Sequence, residues 1–222
     1  MKFNLLKSIA LAGIAAGSLW LVSSAAMAQE VTLRMHQFLP PQANVPKLVL
    51  DVWAKRVEEA SGGKIKVEHY PSMQLGGTPP QLMDQAIDGT VDIVWTVVGY
   101  TPGRFPRVEV FELPFMMTNA DATSRAYWDL FDKEMKDTDF KDVHIIGTWV
   151  HGPGMIHSKQ PVNKLEDMAG LKLRAPTRVI TGLLGELGAT AVGMPVPAVT
   201  EALSKGVIDS AVIPWEVTAA LK

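Results

Sequence analysis

The chain has 222 residues, a hydrophobic fraction of 47%, a formal net charge of −2 and no cysteine. A mildly acidic balance argues against nucleic acid and anionic membrane surfaces as partners. Without cysteine the chain has no disulfides, thiolate metal sites, iron–sulfur clusters or thiol catalysis, and its length allows one large domain or two small ones.

The first 28 residues have the pattern of a secretory signal peptide. Lys2 and Lys7 form a short basic segment before an uncharged run over residues 8–22. Residues 26–28 (Ala-Met-Ala) form a small-x-small cleavage site. That order is typical of a cleavable signal peptide, and the run is shorter than the roughly 20 apolar residues of a spanning helix. We therefore expect an exported, periplasmic mature chain; the alternative is an uncleaved N-terminal anchor.

The segment after the signal peptide alternates between two hydrophobic periods. A period of two predicts strands, and apolar residues three and four apart predict helices. The last strand of this segment is largely apolar, as are strands that are buried on both faces of a sheet. In chain order the predicted elements are a strand at residues 31–37, a helix at 43–60, a strand at 64–70, a helix at 78–89 and a strand at 91–97.

The middle of the chain is less regular. Residues 109–117 (EVFELPFMM) are apolar enough to approach the core, and a helix is predicted over residues 121–131. Residues 143–150 (VHIIGTWV) alternate as a strand does, and residues 163–169 predict a short helical turn.

The order of elements in the first segment then recurs. Residues 81–95 (QLMDQAIDGTVDIVW) match residues 200–215 (TEALSKGVIDSAVIPW) as a helix, a glycine, one residue, Val or Ile, an aspartate and an apolar strand that ends in tryptophan. The glycine ends the helix at positive φ, and the aspartate can fix the turn into the strand. The second set comprises a strand at residues 171–175, a helix at 177–187, a strand at 189–194, a helix at 197–205 and a strand at 208–213.

Two βαβαβ units predict an α/β protein of two lobes, with mostly parallel sheets and right-handed crossovers. Residues 31–97 and 171–214 should then form separate sheets. Ligands of such sheets bind beyond the carboxyl ends of the strands, so a cleft between the lobes would collect the residues at those ends. These residues are Gln37, residues 96–100, His151, Arg174 and Trp215.

Several segments together resemble the DctP-type solute-binding subunits of TRAP transporters. They read HQFLPPQ, YPSMQLGG with the helix that leads to DGTVDIVW, FPRVEVFELPFM, LEDMAGLKLRAPT and IDSAVIPWEV, and the likeness extends from about Val31 to the end of the chain. The resemblance implies a two-lobed, periplasmic-binding-protein-like fold that closes on a small organic acid. It also implies delivery of that acid to the membrane permease subunits of an ion-driven TRAP transporter, with no enzymatic step.

The family's usual chain continues beyond the place that Lys222 occupies in this one. The resemblance therefore implies a C-terminally truncated chain, with lobe I at residues 29–150 and an incomplete lobe II at residues 151–222. Both lobes would then lack their C-terminal part.

Arg174 is the strongest candidate for a ligand contact. It ends a predicted strand before Ala175 and Pro176, and the resemblance implies a carboxylate-binding arginine at this place in the motif. A guanidinium grips a carboxylate through two parallel hydrogen bonds. The alternative is an ordinary exposed arginine at a strand end.

Trp215 and Glu216 follow the last strand of the repeat. Trp215 could cover an apolar or aromatic ligand, or it could pack in the core. In some members of the family such a Trp-Glu pair holds a metal ion that bridges to the ligand, so the resemblance makes Glu216 a candidate metal ligand. Otherwise Glu216 is a solvated carboxylate, and no other cofactor is expected.

Seven further residues near predicted strand ends either line the cleft or serve the core. They are His36, Gln37, Trp95, Thr96, Tyr100, Trp149 and His151. Many members of the family place a second polar group before the LKLR segment, where this chain has Pro153 and Gly154; that departure weakens the case for a doubly clamped ligand. His69 is predicted to lie on the solvated face of its strand.

Two other classes of function remain open at this point. A periplasmic enzyme acting on a small carboxylate could use the histidines and carboxylates, but the chain has neither a Gly-x-Ser-x-Gly elbow nor a His-Glu-x-x-His motif. A ligand-sensing domain of a receptor is the other alternative.

Overall fold

The first three strands form one parallel sheet. In the computed structural model, which describes residues 29–221, these strands are β1 (Val31–Gln37), β2 (Ile65–Tyr70) and β3 (Ile93–Trp95). Their order in the sheet is β2-β1-β3, so the first strand is central. The predicted signal peptide lies outside the described residues.

Two helical crossovers connect these strands. Helix α1 (Asp51–Ala60) continues from a π-helical turn at Pro46–Leu50, and α2 (Leu82–Ile87) continues from a 3₁₀ turn at Pro79–Gln81. At the start of the second of these turns, Gln81 Oε1 accepts the Thr78 N–H at 2.8 Å and the Thr78 hydroxyl at 3.0 Å. Both helices were predicted; α1 starts in a wider π-helical turn and α2 in a tighter 3₁₀ turn.

A more irregular segment joins the two sheets. It contains 3₁₀ turns at Val98–Tyr100 and Val108–Glu112, then α3 (Ala120–Leu130), which continues into a π-helical turn at Phe131–Met135. Asn119 caps α3 by accepting the Ala122 N–H at 2.8 Å. The buried side chains of this region form one apolar cluster, which comprises Met83, Phe105, Val108, Tyr127, Phe131, Met135 and Phe140.

The second sheet has four strands. They are β4 (Gly154–Ser158), β5 (Lys172–Ala175), β6 (Thr190–Gly193) and β7 (Ser210–Pro214), in the order β4-β7-β5-β6. Strands β5, β6 and β7 run parallel, and β4 adds to β7 in the antiparallel sense. Strand β4 was not predicted from the sequence.

The helices of the second unit follow the predicted order. A 3₁₀ turn at Leu165–Met168 precedes β5, α4 (Arg178–Glu186) joins β5 to β6, and α5 (Val199–Ser204) joins β6 to β7. A short helix, α6 (Trp215–Thr218), begins directly after β7. Trp215 was predicted to end that strand; it opens a helix instead, because Pro214 ends the strand before it.

The internal repeat is confirmed in the strand order. The first strand of each unit is central: β1 lies between β2 and β3, and β5 lies between β6 and β7. Gly89 and Gly206, which follow α2 and α5, both have a φ of 69°, a left-handed conformation that favours glycine.

The aspartate of each repeat fixes the start of a strand in the same way. Asp92 donates its N–H to the Arg34 carbonyl and accepts the Arg34 N–H on its carboxylate at 2.7 Å. Asp209 makes the same pair of bonds with Lys172, with 3.4 Å for the bond to its side chain. The predicted role of these aspartates is therefore present in both units.

The prediction of a strand at residues 143–150 is wrong. Within residues 29–221 no strand pairs with this segment. The Val150 N–H bonds to Ser124 Oγ at 3.0 Å instead, and the side chains of Val143 and Ile145 pack against the cluster around α3. Alternation records which side chains are buried, but a strand also needs a neighbouring backbone.

Two other expectations of burial are corrected. Residues 109–117 approach the core only in their first part, where the Phe111 ring lies 4.8 Å from the Tyr127 ring. Phe115 is fully exposed, in a turn that gives it a φ of 65°. The residues of β3 are half-buried rather than buried on both faces, because β3 lies at an edge of its sheet.

The fold class is confirmed as α/β with mostly parallel sheets. The division into lobes at residues 150 and 151 stays a prediction. Among the helices of residues 29–221, none has both the length and the apolar character needed to cross a membrane.

Candidate ligand-binding site

Arg174 lies near the carboxyl end of β5 and is only 1% exposed. Its Nε donates to the Met194 carbonyl at 2.9 Å, and its Nη1 donates to the Val212 carbonyl at 2.8 Å. These bonds fix the plane of the guanidinium. The third nitrogen, Nη2, is buried and has no hydrogen-bond partner among residues 29–221. A buried donor without a partner is costly, so an acceptor on a bound molecule would stabilise Nη2.

Tyr100 lies beside this guanidinium. Its hydroxyl accepts the Val196 N–H at 3.1 Å, which joins the turn after β3 to the turn before α5. Burial lowers the pKa of Arg174, and the nearby Tyr100 phenol opposes that shift. Burial likewise raises the pKa of Tyr100, against the influence of Arg174. Arginine stays charged through such shifts, so the site has a buried positive charge.

Aromatic rings extend from Tyr100 across the end of the first sheet. The Phe38 ring lies 5.5 Å from the Tyr100 ring and 5.1 Å from the Trp95 ring, and Trp95 stacks on Trp149 with centroids 6.4 Å apart. Trp149 is 40% exposed, which leaves ring surface free to contact another flat group. Thr96 is half-buried at the end of the same strand. We call Phe38, Trp95, Trp149 and Tyr100 the aromatic row.

Three other predicted residues, Glu216, His151 and Trp215, make contacts in or just before β4. Glu216 is half-buried and accepts the Gly152 N–H on its carboxylate at 2.6 Å. His151 is exposed, with its Nδ1 2.6 Å from the Gly152 carbonyl. Trp215 is 66% exposed and meets the His157 ring edge-on at 4.7 Å. A core role for Trp215 is therefore excluded.

No metal centre is evident in the described part of the chain, which has no group of three or more histidines and carboxylates placed to hold an ion. Glu216 as one ligand of a bridging metal ion stays a prediction.

His36 and Gln37 are fully buried, and their polar atoms have partners inside the first unit. The Leu75 N–H donates to His36 Nε2 at 3.3 Å, so His36 Nδ1 carries the proton and donates to Gln85 Oε1 at 2.8 Å. Gln37 donates to the Leu39 carbonyl at 2.9 Å and accepts the Leu39 N–H. A ligand contact for these two residues stays a prediction, and their observed bonds are structural.

His69 differs from its prediction. Its side chain is mostly covered, and its Nδ1 lies 2.6 Å from a carboxylate oxygen of Asp51 in α1. Its Nε2 lies 3.2 Å from Gln37 Nε2. The expectation of a solvated position is wrong, because α1 covers this end of β2.

A carboxylate that bonds to Thr177, three residues after Arg174, was not predicted from the sequence. Glu112 accepts the Thr177 hydroxyl proton on Oε2 at 2.6 Å. Burial raises the pKa of Glu112, and the Thr177 bond opposes that shift. Glu112 stands in the FELPF stretch and Thr177 begins α4, but they are too far apart in the chain for a pattern to pair them.

An apolar cleft of about 460 Å³ lies elsewhere between the two units. Its walls include Phe38, Leu39, Met73, Val196 and Leu221. Among the described residues, the lining includes no charged side chain and does not include Arg174. None of those lining residues is a cationic partner for a carboxylate, so we place the candidate site at Arg174 and the aromatic row.

Residues 36–222 match the model of the DctP family, described as bacterial extracellular solute-binding protein, family 7. The chain belongs to this family. The resemblance inferred from the sequence is thus confirmed. Members of the DctP family are extracytoplasmic binding proteins rather than enzymes, which disfavours the enzyme alternative.

Curated relatives agree with this membership. The outer membrane transporter protein TsaT of Comamonas testosteroni is 27% identical over 188 residues, which are 84% of this chain and 55% of that protein. The sialic acid-binding periplasmic protein SiaP of Vibrio cholerae is 33% identical over 125 residues, which are 55% of this chain and 39% of SiaP. The chain thus spans about half the length, or less, of these two relatives.

Solved structures of the family resemble the chain more strongly. A TRAP solute-binding protein of Rhodoferax ferrireducens, crystallised with copurified benzoate, is 54% identical with a TM-score of 0.83, over 86% of this chain and 59% of that one. A marine metagenome protein described as specific for aromatic acid ligands, crystallised with 3-hydroxybenzoate, is also 54% identical with a TM-score of 0.84, over 87% and 61%. A protein of Bordetella bronchiseptica with bound mandelate is 30% identical with a TM-score of 0.76, over 85% and 60%.

Proposed function

We propose that this DctP-family chain captures a small aromatic carboxylate in the periplasm and delivers it to the permease subunits of a TRAP transporter. The observation that carries the proposal is the buried Nη2 of Arg174, a charged donor that has no partner in the chain as the structure describes it. The ligand class is supported by two relatives at 54% identity, which were crystallised with benzoate and 3-hydroxybenzoate. Export would follow from the predicted signal peptide.

Arg174 would bind the carboxylate through one edge of its guanidinium. Nε is occupied by the Met194 carbonyl, while Nη1 uses one of its two N–H groups on the Val212 carbonyl. The N–H groups of Nη2 and the remaining N–H of Nη1 are the donors left for the carboxylate oxygens. Since the guanidinium is already held in place, little side-chain entropy is lost when the acid binds.

The aromatic row supplies surface for the ring of the acid. Offset stacking between rings adds about 0.5–1.5 kcal/mol beyond the burial of apolar area. The exposed rings of Trp149 and Trp215 are the available partners, and Trp149 is already oriented by its stack on Trp95. An aliphatic acid would gain the Arg174 bonds without this stacking.

A thermal-shift panel tests the proposal. Benzoate and 3-hydroxybenzoate should raise the unfolding temperature, whereas cyclohexanecarboxylate should raise it less and benzyl alcohol not at all. A ligand at 100 times its Kd stabilises the folded state by about 2.7 kcal/mol, so true ligands separate clearly from the rest. An equal response to benzoate and benzyl alcohol, or no response to either aromatic acid, would contradict the proposal.

A further inference from the structure

The start of α4 is joined to the turn at Val108–Glu112 by a hydrogen bond between distant parts of the chain. Thr177, which is buried, donates its hydroxyl proton to Glu112 Oε2 at 2.6 Å. Thr177 stands three residues after Arg174, with Ala175 and Pro176 between them. The bond therefore acts next to the residue that carries the proposed ligand contact.

Thr177 makes this bond in place of the helix-capping bond that its position would allow. It is the N-cap residue of α4, where a threonine oxygen normally accepts an N–H from the first turn of the helix. Here the Thr177 side chain makes no such bond, and its hydroxyl donates to Glu112 instead. The Thr177 hydroxyl therefore does not cap α4, and its bond instead joins the start of α4 to the turn at Val108–Glu112.

Gly99, in the turn at Val98–Tyr100, packs against both Glu112 and Thr177. A Cβ atom added at Gly99 would lie 2.5 Å from Glu112 Oε1 and 2.6 Å from Thr177 Cγ2. A side chain there would require Glu112, Thr177 or both to shift. The next residue, Tyr100, reaches Arg174 and the Val196 N–H, so the same turn contacts both the Glu112–Thr177 bond and the candidate site.

A second contact runs parallel to the first at the surface. Arg178, the residue after Thr177, forms an ion pair with Glu109 through its Nη2 at 2.5 Å. The turn at Val108–Glu112 therefore holds the first residues of α4 through two acidic side chains, one partly buried and one near the surface.

We propose that Glu112 is a positioning residue: through Thr177 it holds the β5–α4 connection against the first unit, and so sets where Arg174 presents its free Nη2. The ligand part of this inference rests on the proposed function; the structural part does not. The bond takes the place of a helix cap, packs against Gly99, where a Cβ atom would clash with both side chains, and lies one short connection away from Arg174.

Hydrogen exchange and benzoate affinity test the inference together. Glu112→Ala and Thr177→Val should each speed the exchange of amides in residues 176–182 about tenfold in the ligand-free protein, since one hydrogen bond is lost. Each should raise the Kd for benzoate about tenfold. Combining the two changes should add little, because both remove the same bond.

Conservative variants and a matched control sharpen the test. Glu112→Gln keeps an acceptor and Thr177→Ser keeps a donor, so both should restore nearly normal exchange and affinity. Gly99→Ala, which leaves both side chains intact, should reproduce the defect. Glu201→Ala, which removes a carboxylate bonded only to Lys205 on an exposed helix face, should change neither measurement.

Unchanged exchange in Glu112→Ala would overturn the inference, and so would additive effects in the double variant. Faster exchange with an unchanged Kd would also overturn it, because Glu112 would then be structural only. A wild-type protein that binds neither benzoate nor 3-hydroxybenzoate would contradict the proposed function alone. In that case the exchange measurements still decide whether Glu112 holds the β5–α4 connection.

Discussion

The two βαβαβ units place a buried polar residue at the same position and use it differently. His36 in β1 lies opposite Val94, two residues after the strand residue that pairs with Asp92. Arg174 in β5 lies opposite Ala211, two residues after the corresponding partner of Asp209. The two residues are therefore equivalent in the repeat, and both are almost completely buried.

Their hydrogen bonds distinguish them. Both ring nitrogens of His36 have partners within the first unit. Arg174 has partners for two of its nitrogens and, within the described part of the chain, none for the third. The same position in the repeat thus carries a polar residue whose bonding atoms have partners in one unit, and in the other unit the residue that we propose as the ligand contact. The unpaired Nη2, rather than burial or position, distinguishes Arg174 from His36.

The largest expected effect is on ligand affinity at Arg174. Arg174→Met keeps much of the side-chain length but removes the donors, so the Kd for benzoate should rise about a hundredfold or more, the equivalent of two charge-assisted bonds. Calorimetric titration measures this. Arg174→Lys should recover only part of the loss, because an ammonium lacks the fork. Unchanged affinity with an unchanged circular dichroism spectrum would show that the acid is held elsewhere.

His36 should show the opposite profile. His36→Leu fills similar space but leaves Gln85 Oε1 and the Leu75 N–H without their partner, so the free energy of unfolding should fall by about 2 kcal/mol. The Kd for benzoate should change less than about threefold, since no contact of His36 belongs to the candidate site. Urea unfolding and titration of the same sample check both numbers. A large loss of affinity for benzoate without a loss of stability would instead indicate that His36 contacts the ligand.

The two repeat aspartates allow a finer comparison. Asp92→Ala should lower the free energy of unfolding by about 1 kcal/mol. Asp209→Ala should lower it less, because its side-chain bond to the strand is longer, 3.4 Å against 2.7 Å. Urea unfolding of the two variants in parallel provides the measurement. A larger effect at Asp209 would mean that the two turns are not equivalent in energy.

The smallest effect concerns pH. Because burial raises the pKa of Glu112, the folded state holds its proton more tightly than the unfolded state, and this group's contribution to stability falls as pH rises from 4.5, the ordinary value, through the raised pKa. Glu112→Gln removes that slope while keeping an acceptor for Thr177. The stability of the variant relative to wild type should therefore increase between pH 4.5 and 7.5, as measured by urea unfolding. The same difference at every pH, or the same trend in Glu201→Gln, would contradict this account.

Much of the fold could be predicted from the sequence because hydrophobic period and turn residues act locally. β1 was predicted with its observed bounds, and the Gly-x-Val/Ile-Asp pattern correctly placed the turns into β3 and β7. The failures were non-local. Residues 143–150 have the alternation of a strand but no partner in the described chain, while β4 exists because β7 offers it an edge.

The candidate site was predictable only in part, for the same reason. Arg174 was identified from its motif and its strand end, but the sequence could not show that two carbonyls occupy part of its guanidinium. Nor could it show that both ring nitrogens of His36 have hydrogen-bond partners, since Gln85 and Leu75 are far from His36 in the chain. Hydrogen-bond satisfaction depends on tertiary neighbours, and it decides which buried polar residue is free to bind a ligand.

The most direct test of the central claim compares benzoate with benzamide on the wild-type protein. The two molecules share a ring and nearly the same shape, but only benzoate brings the negative charge and the two equivalent oxygens that Arg174 would bind. If the free edge of Arg174 holds the ligand, calorimetric titration should give a Kd for benzoate about a hundredfold or more below that for benzamide. Equal dissociation constants would show that the ring alone is recognised and that the unpaired Nη2 of Arg174 has no part in binding.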